Sequence, residues 1–171
     1  GSISGTAITL LFTGIVHYNQ GDYDKAMDHY NRTLVICEEL GLKIEIAHSY
    51  WNFGIAHYSR GNYNKAAEHL EKSLNIQKKI GVKQVELITT TYLYLAYTHL
   101  SKNYNENDIH TLIKETENIE FEVNFRLYQL LDDKSYLETA YKQVQEKASA
   151  MEEEMGVTFL SYPIPKEIVE E

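Results

Sequence analysis

The chain has 171 residues, 43% of them hydrophobic and 12% aromatic, and carries a net charge of −9 with a sequence pI near 5.3. That is one domain's worth of chain, long enough for a sizeable core, and its acidity argues against nucleic acid and anionic membrane surfaces as partners, since both need a basic footprint. No apolar run nears the roughly 18 residues of a membrane span, no basic-then-apolar leader opens the chain, and the single Cys37 leaves no internal disulfide, which points to a reducing, cytoplasmic setting.

Gly1-Ser2 resembles a cloning remnant, which suggests a fragment of something longer. Thr6 to Asn19 reads as a first helix with Leu10, Leu11, Phe12 and Ile15 at apolar positions. Gly21-Asp22 turns the chain, and Asp22 suits the next helix start because its carboxylate accepts an orphan backbone N–H. The second helix runs from Tyr23 to about Leu40, and Gly41 ends it as a C-cap glycine does. Helices three and four repeat this layout from about Lys43 to Ile80, with Gly61-Asn62 as the turn and Gly81 as the stop. Gly54 stands inside helix three at a cost of about 1 kcal/mol against Ala. A close crossing of two backbones, which only small residues permit, is the compensating reason.

Helix five is expected from about Lys83 to Leu100, with Ala96 matching Ala56 but Tyr94 standing where Gly14 and Gly54 stood. A wider crossing follows from the lost glycine, and Tyr94→Phe is expected to be tolerated. The sixth helix, about Glu106 to Glu117, keeps only Ile109, Leu112 and Ile113 as an apolar stripe and is expected to pack least regularly. Ile119 to Leu131 makes helix seven, with Asn124-Phe125 echoing Asn52-Phe53. Ser135 and Glu138 read as a capping box for helix eight, which is expected to run to about Met155 and stop at Gly156. Pro165 starts a short last helix through Ile168, and Phe159, Leu160 and Tyr162 are placed to cover the last apolar face, as an exposed terminal repeat requires.

The stretch Gly14 to Gly41 recurs as Gly54 to Gly81, an offset of 40 residues with 12 of 28 positions identical. Among them are Gly14/Gly54, His17/His57, Tyr18/Tyr58, Gly21/Gly61, Tyr23/Tyr63, Ala26/Ala66 and Leu34/Leu74. Self-similarity at such a period marks stacked repeats rather than one closed core. Trp51 or Tyr50, Phe53-Gly54, His57-Tyr58, Gly61-Asn62-Tyr63 and Ala66 follow in order the pattern of the tetratricopeptide repeat, which this chain resembles. The typical repeat has about 34 residues, so the spacing is similar to the extended variants of about 40. The resemblance implies an all-α fold: one solenoid domain over residues 1–171, a right-handed superhelix of antiparallel helix pairs. Its repeats would fall at about 6–41, 46–81, 86–117 and 119–156, with 157–171 as a C-terminal cap.

Nothing in the sequence carries enzyme chemistry. The histidine pairs His17/His57 and His29/His69 are spaced by the repeat rather than as metal ligands, and no Cys/His cluster or HExxH is present. Glu38-Glu39 and Glu152-Glu153-Glu154 read as solvated faces. No phosphate loop, nucleophile elbow or Cys–His arrangement occurs. The expectation is therefore no catalytic residue, no metal and no cofactor.

What the resemblance implies instead is a groove, because the first helix of each repeat lines the concave face in this family. The lining carried over is Ile15, Tyr18 and Asn19 from the first repeat, and His48, Trp51, Asn52, Ile55 and Tyr58 from the second. The third gives Thr91, Leu95 and Thr98, and the fourth Asn124 and Leu127. Asn52 is expected either to hold a ligand backbone through its amide, which both donates and accepts, or to bond locally between helices. Trp51 is divided between inter-repeat core and groove anchor. Lys43, Arg60 and Arg126 are scattered rather than clustered, so a clamp for a C-terminal carboxylate is not expected. An uncharged or basic, partly apolar peptide suits the groove better. The reading is a scaffold or adaptor module that binds a protein or peptide. One alternative is a regulatory or sensor module of a larger multidomain bacterial signalling protein, whose repeat regions end in segments that FLSYPIPKEIVEE resembles. The other is a self-assembly module in which exposed repeat ends pair two copies.

Overall fold

The computed structural model describes residues 3–171, so Gly1-Ser2 lies outside the described residues. The secondary structure described is ten α-helices, with no strand among the described residues. They are α1 Ile3–Asn19, α2 Tyr23–Leu40, α3 Lys43–Ser59, α4 Tyr63–Ile80, α5 Lys83–His99, α6 Glu106–Glu115, α7 Phe121–Leu131, α8 Lys134–Ser149, α9 Glu153–Leu160 and α10 Pro163–Glu170. The chain divides into two compact units, Gly1–Ile113 and Lys114–Glu171.

In the first unit α1 packs on α2, α3 on α4, and each pair on the next through α2 with α3 and α4 with α5. The period is exact in the backbone, since α1, α3 and α5 begin at residues 3, 43 and 83 and end at 19, 59 and 99. Asp22 caps α2 by accepting from the Lys25 amide at 3.3 Å. Gly41 and Gly81 close α2 and α4 at φ of 65° and 80°, a left-handed conformation that L side chains rarely adopt. One further bond recurs with the period. Thr33 Oγ1 on α2 donates to the Ala7 carbonyl at 3.4 Å, and Ser73 Oγ on α4 donates to the Ala47 carbonyl at 2.8 Å. Each ties the second helix to the start of the first, among residues with almost no exposure.

The glycines at mid-helix mark the close crossings. A Cβ at Gly54 would lie 2.5 Å from Cγ of Leu70, and one at Gly14 would lie 2.5 Å from Cε1 of Tyr30. Leu70 and Tyr30 are both fully buried at the matching place in their helices. Around the first crossing the core gathers Leu11, Ala26, Tyr30, Phe53 and Ala56.

The third pair departs from the plan where the glycine is lost. Tyr94 fills that place, its ring stacked on Tyr104 at 4.5 Å and its hydroxyl donating to Asp108 Oδ2 at 3.0 Å. The backbone of α6 does not approach α5 as α2 approaches α1, and only Ile109 and Leu112 of α6 are buried. Tyr94→Phe is therefore less innocent than its size suggests. Losing the bond to a carboxylate is expected to lower stability by about 1 kcal/mol, read as a reduced urea midpoint with an unchanged slope.

In the second unit α7 packs on α8, α9 folds back on α8, and α10 packs against α7, α8 and α9. Its core is Phe125, Ala140, Val144, Phe159 and Ile168. Several expectations are corrected here. The cap of α8 is Asp133, which accepts from the Ser135 amide at 2.9 Å, because a carboxylate two residues upstream takes the place expected of Ser135. The eighth helix ends at Ser149, and Gly156 lies inside a separate helix, α9. A Cβ at Gly156 would stand 2.9 Å from the Ala148 carbonyl oxygen, so this glycine permits a close approach and terminates nothing. The cap expected from Phe159, Leu160 and Tyr162 is made mainly by Phe159, with Leu160 half-buried and Tyr162 44% exposed. The last helix is α10, beginning at Pro163 rather than Pro165.

Candidate functional site

Within the first unit α1 touches α3 and α3 touches α5. The first helices of successive pairs thus form one layer, and it is on this layer that the groove residues were expected. Asn19 and His48 are exposed, Ile15, Tyr18, Trp51 and Tyr58 half-buried, and Asn52, Ile55, Thr91 and Leu95 buried. Thr98 is exposed, while Asn124 and Leu127 are buried in the second unit.

Several of these side chains are committed to the fold. The Tyr18 hydroxyl shares a hydrogen bond with Ser59 Oγ at 2.9 Å, joining α1 to α3. Tyr58 packs edge-on against Tyr63 and Tyr92, at 5.5 and 5.4 Å between ring centroids. Asn52 Nδ2 donates to the His48 carbonyl at 2.8 Å, one turn back in its own helix. Thr91 Oγ1 does the same to Leu87 at 2.7 Å. Asn124 uses its amide differently, donating to the Ile119 carbonyl at 2.9 Å and to Gln143 Oε1 at 3.0 Å.

What stays open lies one turn nearer the helix starts. His48 and Trp51 of α3, Gln77 of α4, and Val85, Ile88 and Thr89 of α5 enclose a chiefly apolar cavity of about 130 Å³. Further along, α3 and α5 meet directly through Tyr58 and Tyr92, 5.4 Å between ring centroids. At the open end their side chains are an imidazole, an indole and two aliphatic groups that leave space between them. Beside it Trp51 Nε1, Gln77 Oε1 and Thr89 Oγ1 are buried without a hydrogen-bond partner. Unmet polar atoms of this kind cost about 1–3 kcal/mol each, so hydrogen-bonding capacity is unspent here. Sequence reasoning found His48 and Trp51 and missed Val85, Ile88, Thr89 and Gln77. The period held the signal, since Ile88 and Thr89 stand 40 residues beyond His48 and Ser49.

Two of the three cations singled out in the sequence are paired with carboxylates of this chain. Arg60 is paired with Asp24, and in the second unit Arg126 meets Glu167 at 3.3 Å. The repeat-spaced histidines stack in pairs: His17 on His29 at 5.3 Å, and His57 on His69 at 5.4 Å. Among the described residues no three His, Cys, Asp or Glu side chains converge as metal ligands would, and no helix is long and apolar enough to cross a membrane.

Comparison with known proteins agrees with this architecture. The family model described as tetratricopeptide repeat matches residues 5–79, which is α1 to α4 almost end to end. No curated protein matches the chain. Repeats of this family are generally protein-interaction modules and typically non-enzymatic scaffolds. The glycine crossings, the aromatic turns and the 40-residue period (Gly14 matching Gly54) all fall inside that match: the first two helix pairs of this chain match the tetratricopeptide repeat.

Proposed function

We propose that the chain is a peptide-binding scaffold whose specificity pocket is the cavity between α3 and α5. The observation that carries this reading is the cavity itself, apolar, walled by Trp51, Val85 and Ile88, and opening on the layer of first helices. At about 130 Å³ it is close in size to the roughly 150 Å³ apolar cavity that accepts a benzene-sized guest. One Leu, Ile or Met side chain of a partner fits that space. Burying such a side chain contributes about 1.5–3 kcal/mol, and the same lining holds an unspent donor, the Trp51 indole N–H, and an unspent acceptor, the Gln77 amide oxygen. With a chain of net charge −9 and Arg60 and Arg126 already paired, the favoured ligand is a neutral or basic segment with one aliphatic anchor.

Panning a random peptide library against the immobilised chain tests this. Enriched peptides should share one aliphatic position, and calorimetry should show their affinity falling at least tenfold in Ile88→Asp, which puts an unpaired charge into the cavity. Asn52→Ala should instead lower the melting point and leave affinity within about twofold, because the Asn52 amide is bonded inside α3. Peptides that bind Ile88→Asp as tightly as the original chain would move the ligand to another surface.

A further inference from the structure

The repeat period allows each face of α1 to be compared with the same face of α3 and α5, and one face differs. Positions 49, 53 and 56 of α3 are Ser49, Phe53 and Ala56, with exposures of 0%, 9% and 0%; the matching Thr89, Leu93 and Ala96 of α5 show 0%, 4% and 0%. This is the face each helix lays against the preceding pair. Asn52 and Tyr92, on its flank, are buried to 3% and 1%. On α1 the matching positions are Thr9, Thr13 and Val16, with Phe12 at the place of Asn52 and Tyr92, and here both apolar side chains, Phe12 and Val16, lie open. Ile8 is 43%, Phe12 62% and Val16 53% exposed, spaced by four as a single ridge along the helix. Where α3 and α5 place Ala56 and Ala96, α1 places the larger Val16.

Two further observations say what can cover it. The polar atoms on this face are already bonded within the helix: Thr9 Oγ1 donates to the Gly5 carbonyl at 2.9 Å and Thr13 Oγ1 to the Thr9 carbonyl at 2.8 Å. Both threonines can therefore enter a dry interface with their hydroxyls satisfied. In addition, α1 contains no Asp, Glu, Lys or Arg between Ile3 and Asn19, and it is the one such helix among the described residues. A face without charge loses little when it leaves water. The occupant must also be uncharged where it touches. Among the described helices α1 itself meets this condition along its whole length.

We propose that α1 pairs with α1 of a second copy across a two-fold axis near Phe12, the ridges of spacing four interleaving as in helix-on-helix packing. The two-fold sets Phe12 beside its own counterpart and Ile8 beside Val16 of the other copy. A 17-residue helix is about 25 Å long, so one helix pair buries less than a standard interface of about 800 Å² per partner. Association in the micromolar range follows, rather than an obligate dimer.

Sedimentation equilibrium on the full chain, from about 5 to 500 µM, decides the matter. The expected mass rises from 19.8 kDa to twice that value and no further. Phe12→Asp should remain monomeric over the whole range and melt within about 2 °C of the original chain, because the side chain is exposed in the monomer. Val35→Asp, which charges an apolar residue 49% exposed on α2, should dimerise as the original does. With Cys37 fully buried, Phe12→Cys should also form a disulfide-linked dimer under mild oxidation that Val35→Cys does not. A chain that stays at 19.8 kDa throughout would show that another helix covers this face. Growth beyond the dimer, or a Phe12→Asp variant that associates normally, would equally overturn the two-fold pairing.

Discussion

Gly54→Leu should lower the stability of the first unit by about 3 kcal/mol, at the upper end of what overpacking costs. Two effects oppose each other. Replacing a glycine inside α3 recovers about 1 kcal/mol of helix propensity, which alone would make the variant more stable. Against this, even the first added carbon would lie 2.5 Å from Leu70 Cγ and 2.6 Å from Leu70 Cδ2. Leu70 is fully buried and its Cγ is fixed close to the backbone, so the strain falls on the α3–α4 crossing itself. The packing of Ala66 and Ala67, both essentially unexposed, leaves no slack along the same contact. A double-mutant cycle isolates the cause. Leu70→Ala alone should cost about 2–5 kcal/mol through the cavity it leaves. Combined with Gly54→Ala it should cost at least 1 kcal/mol less than the sum of the two single changes, because each removes what the other strains against. Additive behaviour in that cycle, or a Gly54→Leu variant that melts with the original chain, would remove the crossing from the account.

The reach of the sequence follows from which residues have one physical use and which have two. The helices α1 to α5 were legible because their signals agree: paired glycines at the turns, an Asp or Asn before α2 and α4, and a mid-helix glycine, Gly14 or Gly54, at the first two crossings. Gly41 and Gly156 look alike in sequence, each ending an acidic helical run, yet Gly41 adopts φ of 65° while Gly156 sits inside α9 against the Ala148 carbonyl. A lone sequence does not separate positive φ from close approach, and α9 was missed for that reason. Asn52-Phe53 and Asn124-Phe125 show the same limit at the site. The aromatic of each pair is buried, but the amide before it bonds one turn back in α3 and across to α8 from α7. An amide's partner depends on the neighbouring helix, which the dipeptide does not record. The open end of the groove was half legible. Trp51 and His48 follow from the repeat pattern, whereas Val85 and Ile88 depend on where α3 and α5 diverge.

The chain should lose stability as pH falls from about 6.5 to about 4, with His69 as the main cause. His69 on α4 is stacked between Phe53 at 5.0 Å and His57 at 5.4 Å, with Tyr50 at 6.0 Å. Its Nδ1 is buried without a partner. Burial in this aromatic stack is the largest influence, followed by the charges of His57 and Lys72, with Glu68 opposing; together they lower its pKa from 6.5 to about 4. His57 is lowered as well, by burial first and then by Lys65 and Arg60. The folded pKa lies below the unfolded one, so between the two values the unfolded chain binds more protons. The contribution is therefore complete above about pH 6.5, declines as pH falls through the interval, and changes no further below about 4. Carboxylates whose pKa is lowered, such as Asp22 through Lys25 and Asp133 through the Ser135 amide, act in a lower window, because their ordinary value is 3.8. Urea midpoints at pH 7.5, 6.0, 5.0 and 4.5 should fall steadily in the original chain. His69→Phe keeps the ring stack without a basic nitrogen and should remove at least half of that slope, whatever its stability at pH 7.5. Equal slopes in the two proteins would leave His69 without a part in the acid sensitivity.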